Sequence, residues 1–260
     1  MSVLLDSTEA LGRDVGVSPG PGACVSLSFH RFGPAAARAW AFAQMGLARA
    51  SLPRVPDLAD WKLCGSGADL GFIPIPNTAV WVILGTWPDM GTAQSRMAAH
   101  RPFTAWSAKA EEVWTVFLAP TSVRGSWAGR QPFTVSADPV PGPVAALTRA
   151  TVRPSVAMQF WKRTPDLNRA ILADPNVIFR AGIGEVPLMQ QVTFSIWPDL
   201  AAMAAFARAP GSLHADAIRA VRDGGWFREE LYARFRILGT QGTWEGADPL
   251  ARTDIQGRTP

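Results

Sequence analysis

The chain has 260 residues, 48% of them hydrophobic, and 25 Lys and Arg against 21 Asp and Glu give a formal charge of +4. That length builds one large domain or two of about 130 residues each. Acids interleaved with the arginines, as in "RAVRDGGWFREELYARFR", argue against a nucleic-acid stripe but tolerate an anionic membrane surface.

Residues 1–22 lack the basic start and apolar block of a signal peptide and are expected to form a flexible N-terminal tail. "CVSLSFHRF" (24–32) alternates like a strand. Pro34 then opens a helix with Trp40, Ala43 and Leu47 on one face. Strands follow at 61–67 and 79–87; the latter, "AVWVILGTW", is the longest strongly apolar run and is too short to span a bilayer as a helix. Pro88 ends that strand, Asp89 caps a helix expected over about 90–112, and 113–121 supplies a fourth strand. After the Pro/Gly-rich linker "SADPVPGP" (136–143) the pattern returns: strand 144–152, helix from "RPSVAMQFW", strands within 177–186 and 191–197, a cap at Asp199, and a last strand in "YARFRIL".

The recurrence is also literal. "GTWPD" (85–89) matches "SIWPD" (195–199), "GSWAGRQPF" (125–133) matches "GTWEGADPL" (242–250), and "EEVWTVFLA" (111–119) lies over "EELYARFRI" (229–237). The expected fold class is α+β: two tandem ferredoxin-like βαββαβ repeats, 23–135 and 144–250, forming a dimeric-α/β-barrel-type domain whose sheets pair within the chain or across a dimer.

Functional groups are sparse. Cys24 and Cys64 are the only thiols, which excludes a disulfide scaffold and a cysteine-built zinc site and points to a reducing interior. "GSGADLG" lacks a P-loop lysine, and no G-x-S-x-G elbow is present. Eleven Trp and thirteen Phe against one Tyr either fill the core or line an apolar pocket. In "GSLHADAIRAV", His214 shares a helical stripe with Ile218 and Val221, as a core histidine, a general base or a metal ligand. The first repeat has Phe103 at the aligned position, so the fold does not itself demand imidazole there. A single inward histidine in an apolar pocket is what a haem iron needs as its proximal ligand. Glu185 reads as a base, a substrate contact or a solvated turn residue. Arg149 and Arg180 interrupt apolar strands, either to pair with haem propionates or to reach water from an edge.

"DWKLCGSG", "FIPIPNTAVW", "AALTRATVRP", "GIGEVP", "QVTFSIWPD", "HADAIRAVR" and "WFREELYARFRILG" together resemble the spheroidene monooxygenases, acyclic carotenoid 2-ketolases of purple phototrophic bacteria, over residues 24–250. The resemblance implies O2-dependent double hydroxylation at C-2 of spheroidene-type carotenoids, with collapse of the gem-diol to a ketone and electrons from reduced ferredoxin. It implies haem (iron) held in the second repeat by His214. The chain departs from the family at Gln190, where a histidine is usual. A membrane-borne C40 substrate and the absence of a spanning run imply a cytoplasmic protein associated peripherally with the inner or photosynthetic membrane, and a homo-oligomer is compatible. Two other readings stand beside it: a cofactor-free barrel oxygenase or isomerase using a His or Glu base, and a non-enzymatic carotenoid- or porphyrin-binding barrel.

Overall fold

Period-two alternation along β1 (Cys24–Arg31) sets Val25, Leu27 and Phe29 on one face and Ser26, Ser28 and His30 on the other. The computed structural model describes residue 20 and residues 22–186, 188–208 and 225–251; the expected tail and His214 lie outside the described residues. After β1 come β2 (Asp60–Gly67), β3 (Pro76–Trp87) and β4 (Glu112–Gly125), then β5 (Val144–Val152), β6 (Phe179–Gly184), β7 (Gln190–Trp197) and β8 (Phe227–Gly242). They close into one antiparallel barrel in the order β1-β3-β2-β6-β7-β5-β8-β4. The closure is made within this single chain, which answers what the sequence left open between a chain and a dimer.

Each half contributes four neighbouring strands in equivalent order, β4-β1-β3-β2 and β8-β5-β7-β6. Leu27 lies between Leu84 and Val116, as Leu147 lies between Phe194 and Ala233. The seams joining the halves differ. β4 pairs with β8 from Trp114↔Gly242 to Gly125↔Leu231, whereas β2 meets β6 at Gly65↔Gly184 and Ser66↔Ile183.

The inward faces pack the barrel solid with Leu27, Phe29, Trp114, Phe179, Phe194 and their neighbours, each large apolar side chain contributing about 2 kcal/mol by leaving water. Helices cover the outside: α1 (Ala35–Leu47), α2 (Met90–Ala99), α3 (Phe103–Lys109), α4 (Ala157–Ala173) and α5 (Leu200–Arg208). The single helix expected over 90–112 divides into α2 and α3, because Pro102 has no N–H to donate and its ring obstructs the preceding turn. The caps are as expected: Asp89 accepts from the Thr92 amide at 2.8 Å, and Asp199 from the Ala202 amide at 2.7 Å.

The first outer wall is sealed. Leu63, Ile83 and Phe117 pack there with Trp87, Phe103 and Trp106 of the helical layer. The register-equivalent positions on the second wall are Gly182, Thr193 and Arg234. Ser28 and Thr115 are buried on the first wall, while their equivalents Thr148 and Tyr232 are half-exposed on the second, as are Ala146, Thr193 and Ser195.

Candidate functional site

The two Gly-x-Trp-x-Gly segments form matching loops at opposite ends of the β4·β8 ladder. Gly125, Ala128 and Gly129 have φ of 95°, 54° and 74°; Gly242, Glu245 and Gly246 have 83°, 57° and 79°. These left-handed turns drop Trp127 into one barrel end and Trp244 into the other, leaving them 1% and 5% exposed. A carboxylate ties down each loop. Glu229 accepts from the Ala128 and Gly129 amides at 3.1 and 2.7 Å and from Ser126 Oγ at 2.8 Å, and Glu112 accepts from the Gly246 amide at 2.8 Å and Thr243 Oγ1 at 3.2 Å.

What lies beneath the two tryptophans differs. Phe29 is 6.0 Å from the Trp244 ring and 5.7 Å from Trp114, an end closed by aromatic contacts. The register equivalent of Phe29 is Arg149, 1% exposed, its guanidinium ion-paired with Glu229 and 5.7 Å from the Trp127 ring centre. Lys62, 8% exposed, stands 5.5 Å from the same ring and bonds both Asp60 oxygens at 2.9 and 3.0 Å. Trp127 Nε1 donates to Glu185 at 2.6 Å. A cavity of about 420 Å³ adjoins this end, lined by Arg49, Asp60, Trp61, Lys62, Arg130 and Glu185 among others. Among the described residues, Arg49 and Arg130 have no carboxylate partner.

The electrostatics follow from burial and bonding. Burial alone would push the Glu229 carboxyl up, but the Gly129 amide, Ser126 and Arg149 overcome it and hold the group at about 2. Glu112 is lowered too, by the Gly246 and Glu245 amides, Arg31 and Thr243 acting against burial. Burial pushes the Cys64 thiol well up, so it faces the core as a neutral apolar group. Arg149 Nε is buried without a hydrogen-bond partner.

The sequence-derived candidates separate. Arg149 points into the barrel and Arg180 out of it, donating weakly to the Leu70 carbonyl at 3.4 Å and to Asn168 Oδ1 at 3.5 Å. The two guanidiniums are on opposite sides of the sheet, and Arg149 is ion-paired with Glu229. Phe103, aligned with His214, heads α3 and packs 5.7 Å from Trp87. Gln190 opens β7 with Oε1 buried and unpartnered. His30 is sealed between Phe32 and Trp106, 6.4 and 5.3 Å away. Glu185 and Arg149 are the sequence candidates that the fold brings to the polar barrel end. Lys62, Asp60, Trp127, Glu229 and Arg130 escaped notice, although aligning Arg149 with Phe29 across the repeats was open to inspection.

No helix among the described residues is long and apolar enough to cross a membrane, and no group of three or more His, Cys, Asp or Glu residues is arranged for a metal ion. A mixed α/β fold with a closed eight-stranded antiparallel barrel defines the protein as a single-chain α/β barrel. An aldoxime dehydratase solved with butyraldoxime has a similar fold, with a TM-score of 0.58 at 10% identity, covering 88% of this chain and 85% of that one. The chain matches no family model. It is 47% identical to the spheroidene monooxygenase of Cereibacter sphaeroides over 87% of this chain and 70% of the relative. It is 46% identical to that of Rhodobacter capsulatus over 90% of this chain and 98% of the relative. The chain belongs to the spheroidene monooxygenase family.

Proposed function

We propose that the chain is a carotenoid monooxygenase that hydroxylates C-2 of spheroidene-type acyclic carotenoids twice with O2 and electrons from a reduced ferredoxin, the gem-diol then losing water to leave a ketone. The observation that carries this is the 46–47% identity to the two spheroidene monooxygenases over most of the chain. The equivalent strand order of the halves supports reading residues 23–135 and 144–250 as copies of one ferredoxin-like unit.

Haem fits the second half better than the first. The small, half-exposed Ala146, Thr148, Thr193 and Ser195 line the second outer wall, whereas the first is filled by aromatic side chains. His214, outside the described residues, is the residue proposed to hold the iron; His30 is enclosed by packed rings. When bound, haem supplies the iron for O2 activation. Arg180, on this outer wall, is the proposed partner of one propionate; its present hydrogen bonds are long and leave it able to turn. The packed barrel backs this wall. The protein works at the cytoplasmic face of the membrane that stores its substrate.

Protein expressed with iron and haem supply is mixed with spheroidene, reduced ferredoxin and 18O2. The expected product is a 2-ketocarotenoid carrying the label, from protein with a Soret band that His214→Ala abolishes. Carotenoid binding with no incorporated oxygen turns the reading toward a carrier, and full haem binding by His214→Ala removes the ligand assignment.

A further inference from the structure

Helix α1 is apolar on the face it buries and also on the face it exposes. Ala41 is fully buried and Ala37, Trp40 and Met45 pack behind it, while Ala35, Ala36, Ala39, Phe42, Ala43, Gly46 and Leu47 are exposed. Phe42 is 70% and Leu47 65% exposed, and Ala35, Ala39, Phe42 and Gly46 follow the i, i+4, i+7, i+11 spacing of a single face. A helix hydrophobic all round calls for a cover on its second side.

The surrounding charge says what kind. From Gly33 to Pro56 the chain has Arg38, Arg49 and Arg54 and no carboxylate. Arg49 and Arg130 line the 420 Å³ cavity without a carboxylate partner among the described residues, while the cavity's own carboxylates are engaged, Asp60 by Lys62 and Glu185 by Trp127, so phosphate oxygens would find two donors beyond the helix's C-terminal end. A second copy of the chain suits this surface poorly. Two-fold pairing centred on Phe42 and Leu47 sets the Arg38 end of one helix against the Arg49 end of the other, guanidinium against guanidinium.

We propose that α1 is the membrane-docking element: it lies in the plane of an anionic bilayer with Phe42 and Leu47 among the acyl chains and Arg38, Arg49 and Arg54 against headgroup phosphates. The proposal deepens the peripheral association proposed above and rests on that reading for the presence of a bilayer, but its test needs no turnover.

The full chain is floated with vesicles of phosphatidylcholine alone or mixed with phosphatidylglycerol. Binding is expected to the mixed vesicles and to weaken with salt. Arg38→Gln, Arg49→Gln and Arg54→Gln each lose about fivefold. Phe42→Ser with Leu47→Ser loses at least about tenfold, and because both side chains are exposed, circular dichroism and Tm should be unchanged. No flotation of the parent chain, or equal flotation of the Phe42→Ser/Leu47→Ser variant, overturns the proposal. So does a parent dimer that this variant makes monomeric without changing flotation. Oxygenation of detergent-dispersed carotenoid without vesicle binding would overturn the docking surface alone, and vesicle binding without oxygenation would overturn the reaction alone.

Discussion

Burial pushes the His30 imidazole down to about 4, against partial compensation from the Ser28 and Trp81 backbone, so the folded protein holds it neutral. An unfolded chain would protonate it near pH 6.5. Stability linked to His30 is therefore complete above about pH 6.5 and is lost as pH falls toward 4, about 3 kcal/mol across that window. His30→Leu should flatten this acid limb, read as urea midpoints at pH 7 and pH 4.5; an unchanged slope would assign it to other groups. Arg149 and Glu229 give a second test. Glu229→Gln leaves a guanidinium that is 1% exposed without its countercharge, and a loss of about 3–5 kcal/mol is expected. Adding Arg149→Phe, the residue type of Phe29 in the first half, should recover most of that loss. Additive losses in the double variant would mean that the pair is not coupled. Alternation along β5 already set Arg149 on the face of Leu147, but which face became interior depended on the barrel closing. Glu229, 80 residues away in the chain, left no local mark.

At the scale of elements, strands were read well because period two survives burial, and the two Asp caps were legible because a carboxylate at the N-cap answers free amides. Helix α1 shows where reading stops. The face expected to be inward, Trp40, Ala43 and Leu47, is half-buried at Trp40 and exposed at the other two, because an apolar residue at nearly every position gives periodicity nothing to select. The Trp loops yield a paired prediction. A Cβ at Gly125 would stand 2.1 Å from the Glu230 carbonyl oxygen, and one at Gly242 2.1 Å from that of Val113, each also at positive φ. Gly125→Ala and Gly242→Ala should each cost about 2 kcal/mol and lower Tm by about 4–8 °C. A marked difference between the two would show that the loops, though matched in backbone, are not equally constrained.

Across the whole molecule the equivalent strand order of the two halves was legible in sequence, because Trp-Pro-Asp and Gly-x-Trp-x-Gly segments recur in the same order. How the halves join could not, since β4·β8 and β2·β6 unite residues more than 100 apart and hydrogen-bonding edges carry little pattern. Those unequal seams predict how the cylinder breathes. The short seam, with glycines Gly65 and Gly184 facing across it, has the lowest local free energy of opening, and its amides should exchange with deuterium well before those of Val116 to Ala119. Cys64, the next residue along β2, is fully enclosed beside that seam. In a Cys24→Ser background its slow alkylation becomes a clock for the parting of the wall, timing the excursions of a cylinder whose static interior admits no reagent.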